Sequence, residues 1–254
     1  MSLFSNLTYD GLEENEDRLG GSGGRLETDV YAGKIKIAYA GVSQKGAKNV
    51  TLIVALANGN EYRETVYVTN QKGENFFYNK QDATKKVALP GFTTIDDICQ
   101  VCTEKGLAEQ NIEEKIVKIY DFDARQELPK SVPVLTDLIG KDVLLAIKKT
   151  LVNKNEKAAD GSYVPTAESR EENSIEKVFH PTLRVTVVEA KRGKLEPEFI
   201  DAWIEKNKDK THDKRQIKDG EGGVQAGRPR PANAGPPQAG QTTARRSLFG
   251  NQAA

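Results

Sequence analysis

From Val30 to Ala40 the chain reads VYAGKIKIAYA, with Tyr31, Ile35, Ile37 and Tyr39 on one parity and Lys34 and Lys36 on the other. That alternation predicts a half-buried strand with two lysines on its far face. A polar turn with Gly41, Lys45, Gly46 and Lys48 leads into Val50–Leu56, a second apolar run. Asn58-Gly59-Asn60 is a hairpin signal before Glu61–Thr69, so the three strands form an antiparallel meander. On the third strand Tyr62, Val66 and Val68 share one face, while Arg63, Thr65 and Tyr67 share the other and present a cation beside a ring.

A long polar and aromatic loop, Asn70–Pro90, comes next. Ile95, Ile98, Cys99 and Cys102 then fall at i, i+3, i+4 and i+7, predicting an amphipathic helix over Thr93–Lys105, capped by Thr94 and stopped at Gly106. A short apolar stretch at Ile116–Tyr120 precedes strands at Asp142–Val152, Ile175–His180 and Thr182–Glu189, with a polar loop from Asn153 to Ser174 between the first two. The order strand, strand, strand, helix, strand, long loop, strand fits a mostly β chain with one or two helices. The expected architecture is an OB-fold-like five-stranded Greek-key barrel. A final helix over Pro197–Lys208 should bury Phe199, Ile200, Trp203 and Ile204 against the barrel or a second subunit.

Composition locates the segments that build no core. Only 37% of the 254 residues are hydrophobic, and the glycines of residues 1–27 and the Gly/Pro clusters of residues 209–254 interrupt every regular period. These are expected to be a flexible N-terminal arm and a disordered C-terminal tail around a domain at 28–208. The chain carries 37 Lys+Arg and 37 Asp+Glu, but residues 209–254 hold Lys210, Lys214, Arg215, Lys218, Arg228, Arg230, Arg245 and Arg246 against Asp209, Asp213, Asp219 and Glu221. The tail is therefore +4 and the body −4, an asymmetry that points to a polyanionic or acidic partner. No apolar run reaches membrane-spanning length or follows signal-peptide order, so the expectation is a cytoplasmic protein with no membrane partner.

Enzyme signals are sparse. No phosphate-binding loop, dinucleotide fingerprint, zincin motif or nucleophile elbow occurs. Cys99 and Cys102 form C-x-x-C, but a zinc site needs about four ligands and only His180 and His212 remain, so two small residues half in a helix core is the simpler reading. Asp121 and Asp123 could hold magnesium, yet no motif places a third carboxylate beside them, and neither a catalytic site nor a cofactor is expected. What accumulates instead is cations interleaved with rings: Lys34, Lys36, Arg63, Tyr67, Lys72, Phe76, Tyr78, Lys80, Lys148, Lys154 and Tyr163. Single-stranded nucleic acid is held by this combination, cations tracking phosphates and rings stacking on bases. Of the adjacent Phe76, Phe77 and Tyr78, two are expected in the core, leaving Phe76 or Tyr78 to stack. Ser2-Leu3-Phe4-Ser5-Asn6 is echoed by Ser247-Leu248-Phe249-Gly250-Asn251 after Arg245-Arg246, which makes Arg245, Arg246, Leu248 and Phe249 candidates for protein docking.

The runs Tyr31-Ala32-Gly33-Lys34-Ile35-Lys36, Ala38-Tyr39-Ala40-Gly41, Glu61-Tyr62-Arg63-Glu64-Thr65, Val68-Thr69-Asn70, Lys72-Gly73-Glu74-Asn75-Phe76-Phe77 and Leu89-Pro90-Gly91-Phe92 stand in sequence order. Together they resemble the single-stranded DNA-binding proteins of lytic short-tailed coliphages that carry a virion RNA polymerase, over about Thr28 to Lys141. The resemblance implies a protein that coats single strands during phage replication and recombination in the cytoplasm of the infected bacterium. It also implies a role in late transcription through contact with host RNA polymerase, with phage replication proteins as other partners; a homo-oligomer is a separate expectation, carried by the final helix. Such proteins often end in an acidic tail; this chain carries Arg245-Arg246-Ser247-Leu248-Phe249 near its end and has no acid after Glu221. The alternative is a transcription co-activator or interaction scaffold whose basic tail recruits RNA polymerase without coating DNA.

Overall fold

Strand β1 (Asp29–Val42) organises the molecule because three other strands share its two edges. The computed structural model describes residues 25–121, 124–158, 162–194 and 196–217. Along one edge β2 (Lys48–Leu56) pairs antiparallel with Gly33–Val42, and β3 (Glu61–Tyr67) continues the meander. The turn between them places Gly59 at φ 84, the left-handed conformation that an Asn-Gly turn exploits. Register in β1 slips between Ile35, opposite Val54, and Ile37, opposite Ile53, so Lys36 is the extra residue of a β-bulge. The inward face therefore passes from Ile35 to Ala38, both essentially buried, and Ile37 and Tyr39 turn to the outer face; the uninterrupted parity expected from the sequence ends at the bulge.

Residues 70–90 contain their own small hairpin, β4 (Phe76–Tyr78) with β5 (Lys86–Ala88). Helix α1 spans Pro90–Thr103, three residues earlier than its hydrophobic period suggests, because Pro90 supplies a first-turn residue without an orphaned N–H. Thr94 lies inside it and donates from Oγ1 to Pro90 O at 3.1 Å; Glu104, at φ 60, ends it before Gly106. Gly91 is required at its start, since a Cβ there would lie 2.2 Å from Tyr67 O at the end of β3. Ile95, Ile98 and Cys99 enter a core with Val50, Leu52, Val54, Leu56, Val143, Leu145 and Ile147.

The apolar stretch at Ile116–Tyr120 belongs to a full hairpin, β6 (Ile112–Asp121) with β7 (Gln126–Leu135), which meets β1 at Tyr39 opposite Val134. Strand β8 (Asp142–Lys157) pairs with Asp29–Lys34 of β1, and β9 (Tyr163–Phe179) pairs along β8 for nearly its whole length. The loop expected over Asn153–Ser174 is thus mostly a long antiparallel ribbon, its polar sequence reflecting exposure on both faces rather than absence of structure. Thr182–Glu189 is not a strand. A turn follows His180, and α2 (Val187–Lys191) is capped by Thr186, whose Oγ1 accepts from Glu189 N while the Glu189 carboxylate accepts from Thr186 N.

Helix α3 (Phe199–Asn207) covers the opposite face of β8 and β9, where Ile200 and Trp203 pack with Ala146 and Phe179. Phe199, expected inside, stays 41% exposed beside the Phe179 ring and the Lys177 ammonium. Beyond it β10 (Thr211–Asp213) runs parallel to β8 where β1 has left that edge. Thr28 joins the two: its Oγ1 accepts from Lys149 N and donates to Lys210 O, and its carbonyl accepts from Asp209 N. Asn153 then holds Gln216 and Ile217 by their backbone groups. Residues 209–217, expected in the tail, are therefore part of the folded body, as are residues 25–27, where Leu26 exchanges two hydrogen bonds with Asn173.

The result is a mostly β fold with antiparallel sheets and three helices among the described residues. No barrel closes. Strands β3 and β9 do not form a ladder; the Glu64 carboxylate bridges them, accepting from Ile175 N at 2.9 Å and from Tyr62 Oη at 2.7 Å. Among the described residues no helix is long and apolar enough to cross a membrane.

Candidate nucleic-acid interface

The bulge at Lys36 decides which side chains share the outer face of β1–β2–β3. Lys34 sits opposite Ala55, Ile37 opposite Ile53 and Tyr39 opposite Thr51; Arg63 and Thr65 continue those rows on β3, and Tyr67 lies opposite Asn49. The face has an ordered centre: Arg63 Nη2 donates to Tyr39 Oη at 3.0 Å, and the Thr51 and Thr65 hydroxyls lie 2.8 Å apart. Arg63 makes no ion pair among the described residues, and Tyr67 is 52% exposed.

Lys34 and Lys36 flank this centre in ion pairs, to Asp142 at 2.8 Å and Glu61 at 2.6 Å, with every partner at least half exposed. The hydrogen bond and charge of Glu61 raise the Lys36 pKa, so it remains a cation. Exposed pairs are weak and screened by salt, so both ammonium groups can exchange a carboxylate for a phosphate at little cost.

At the other end of the face Tyr67 lines a shallow groove with Val42, Lys45, Asn49 and Gln71. The Gly46 turn approaches Gln71 O closely, which sets the exposed Lys72 turn beside the one carrying Lys45. Four of the expected residues, Lys34, Lys36, Arg63 and Tyr67, thus share one face, with Lys72 at its end. Cations at the margins and the exposed Tyr67 ring suit a flexible polyanion bearing flat groups, while Tyr39, only 7% exposed, orients Arg63 through its hydroxyl.

The remaining candidates lie elsewhere. Phe76 and Tyr78 meet edge to face at 5.6 Å on the separate β4–β5 hairpin, with Lys86 Nζ 4.2 Å from the centre of the Phe76 ring. None of Phe76, Phe77 and Tyr78 is buried, contrary to the expectation that two are core, because a two-stranded hairpin has no layer behind it. Lys80 is exposed between these strands. Lys148 faces the α3 side, its side chain only 17% exposed and 2.5 Å from Glu176, whose other oxygen accepts from Trp203 Nε1. Lys154 and Tyr163 do come together, with Asn155 and Arg170, in a pocket on the β8–β9 ribbon, where Lys154 also pairs with Glu168 at 2.8 Å.

Tyr39 is buried, as its parity with Ile35 predicts, but on the outer face beside Arg63 because of the bulge, and sequence reasoning misses that placement together with Lys45 and Arg170, whose turn and polar stretch carry no periodic signal. Cys99 and Cys102 are free thiols, each pushed up to about 12 by burial, and no group of three or more metal-ligating side chains occurs among the described residues. Asp123 and the docking candidates Arg245, Arg246, Leu248 and Phe249 lie outside the described residues. Neither a protein-family model nor a curated protein matches the chain.

Proposed function

We propose that the chain is a sequence-nonspecific single-stranded DNA-binding protein whose binding surface is the outer face of β1–β2–β3. The observation that carries this reading is the convergence of Lys34, Lys36, Arg63 and Tyr67 on that face around the Arg63–Tyr39 hydrogen bond. The strand order also supports an OB-fold-like arrangement: a three-strand meander, a helix after the third strand, and β8 returning antiparallel to β1 before β9. With the resemblance over Thr28–Lys141, the reading extends to strand coating in phage replication and recombination, with late transcription through host RNA polymerase as a second role. A net charge of −4 on residues 1–208 does not oppose it, because local potential rather than total charge guides a strand to a groove.

Fluorescence anisotropy of a labelled oligodeoxythymidylate, titrated at two salt concentrations, tests the proposal. Binding should weaken steeply with salt. Tyr67→Ala should lose about 1–3 kcal/mol, roughly 5- to 150-fold in affinity, as expected for a stacked ring. Arg63→Ala should weaken binding and flatten the salt dependence. A full-length chain that does not bind the oligonucleotide, or variants that bind like the wild type, would refute this site. Loss of DNA binding with retained capture of RNA polymerase would favour the co-activator alternative.

A further inference from the structure

The β6–β7 ribbon leaves its two outer edges in different states. Pairing runs without a slip from Ile112 opposite Leu135 to Asp121 opposite Gln126, and Thr136 N donates to Asn111 O one step before it. Antiparallel pairs alternate, so the odd residues of β6 exchange hydrogen bonds with β7, while Ile112, Glu114, Ile116 and Lys118 direct their backbone groups away from it. Pro133 and Pro129 stand opposite Glu114 and Lys118, which places a residue without an N–H twice along the outer edge of β7. That edge is blocked against further pairing. The β6 edge contains no proline and pairs with β7 alone among the described residues. Its outward-directed residues lie on one face with Ile112 52%, Ile116 78% and Tyr120 39% exposed.

We propose that β6 is the pairing edge of a homodimer, joined antiparallel about a two-fold axis at Ile116. Charge selects both the partner and the register. With Ile116 opposite its copy, Glu114 faces Lys118 of the second chain twice by symmetry, Ile112 faces Tyr120, and no like charges oppose each other. Moving the partner by two residues one way sets Lys115 against Lys115; the other way it sets Glu113 against Asp121 and Ile116 against Lys118. Moving it by four opposes Glu114 with Glu114 or Lys118 with Lys118. Shifts by one residue bring backbone groups that face β7 against groups that face outward. Only the Ile116-centred register satisfies hydrogen bonding, charge and apolar contact together.

The dimer requires no DNA, so it stands or falls separately from the proposed binding face. Sedimentation equilibrium and native mass spectrometry of the full-length chain should show a monomer–dimer equilibrium. Glu114→Lys and Lys118→Glu should each weaken self-association by about tenfold or more, since each turns both symmetric pairs into like-charge pairs. Mixed in equal amounts, the two variants should form a heterodimer, because one then carries a cation at both positions, the other an anion at both, and each cross-chain pair joins opposite charges. Ile116→Pro should abolish association while keeping an unchanged circular dichroism spectrum, because the missing N–H points away from β7. A wild-type chain that stays monomeric at all concentrations, single variants that dimerise like the wild type, or a mixture that does not pair would each overturn the proposal.

Discussion

Glu64 sits on the inward face of β3 beneath Tyr62, and burial raises its pKa above the ordinary glutamate value. One carboxylate oxygen accepts from both Tyr62 Oη and Ile175 N, so a side chain supplies the contact that a strand ladder would otherwise make between β3 and β9. A carboxyl whose folded pKa is raised favours folding most below its unfolded pKa, and that contribution is lost as pH rises through the folded value. Stability from this group should therefore increase as pH falls from neutrality to the ordinary glutamate range, and Glu64→Gln should remove that part of the slope while keeping an acceptor oxygen. Urea unfolding at the two ends of that range measures it; an unchanged slope would mean that Glu64 is not the titrating group. Such a residue is not legible in sequence. Glu64 lies between Arg63 and Thr65 on the parity of Tyr62 and Val66, a position that gives no hint of what it bonds, and its partner Ile175 is 111 positions away. Arg63 and Tyr67 were legible because they share a parity within one strand, whereas Tyr39 was not, because Lys36 adds one residue and reverses the faces that follow it.

At the scale of elements, the strands with strong alternation and the helix with an i, i+3, i+4, i+7 stripe were readable from local pattern. Their boundaries depended on contacts. Helix α1 begins at Pro90 because β3 ends against Gly91, and Gly91→Ala should destabilise the fold by about 1–3 kcal/mol as its Cβ meets the Tyr67 carbonyl. Thermal unfolding that is unchanged in this variant would mean that the helix start shifts freely. The β8–β9 ribbon went unread for a different reason. Its outer half is polar on both faces, so it lacks a period, and each strand is held by hydrogen bonds to the other rather than by burial. Thr182–Glu189 shows the converse error: an apolar run with strand-like spacing whose middle is taken by the Thr186 and Glu189 capping box.

Across the whole molecule, the C-terminal boundary is the most consequential revision. A chain ending at Ile217 keeps β10 and the partners of Thr28 and Asn153, whereas one ending at Lys208 exposes the β8 edge and leaves the buried Asn153 without its backbone partners. The shorter chain should unfold at lower temperature, its loss including about 1–3 kcal/mol for each buried polar group left unpaired, while the longer one should match the full protein. Equal melting temperatures would remove β10 from the account of stability. The chain ending at Ile217 should also keep salt-sensitive oligonucleotide binding, because Lys34, Arg63 and Tyr67 all lie in the body it retains.

Local order in the chain determined the β-rich class, the meander, the two longer helices and the pairing of cations with rings on β3. These follow from side-chain period and turn chemistry, interactions that span a few residues. Tertiary structure alone decided that Lys148 serves an ion pair under α3, that Lys34 and Lys36 border the same face as Arg63, that Glu64 bridges β3 to β9, and that residues 209–217 complete an edge of β8. Each joins segments far apart in the sequence or depends on a single bulge, and whether a charged side chain stays solvated or becomes buried and paired is set by what packs against it.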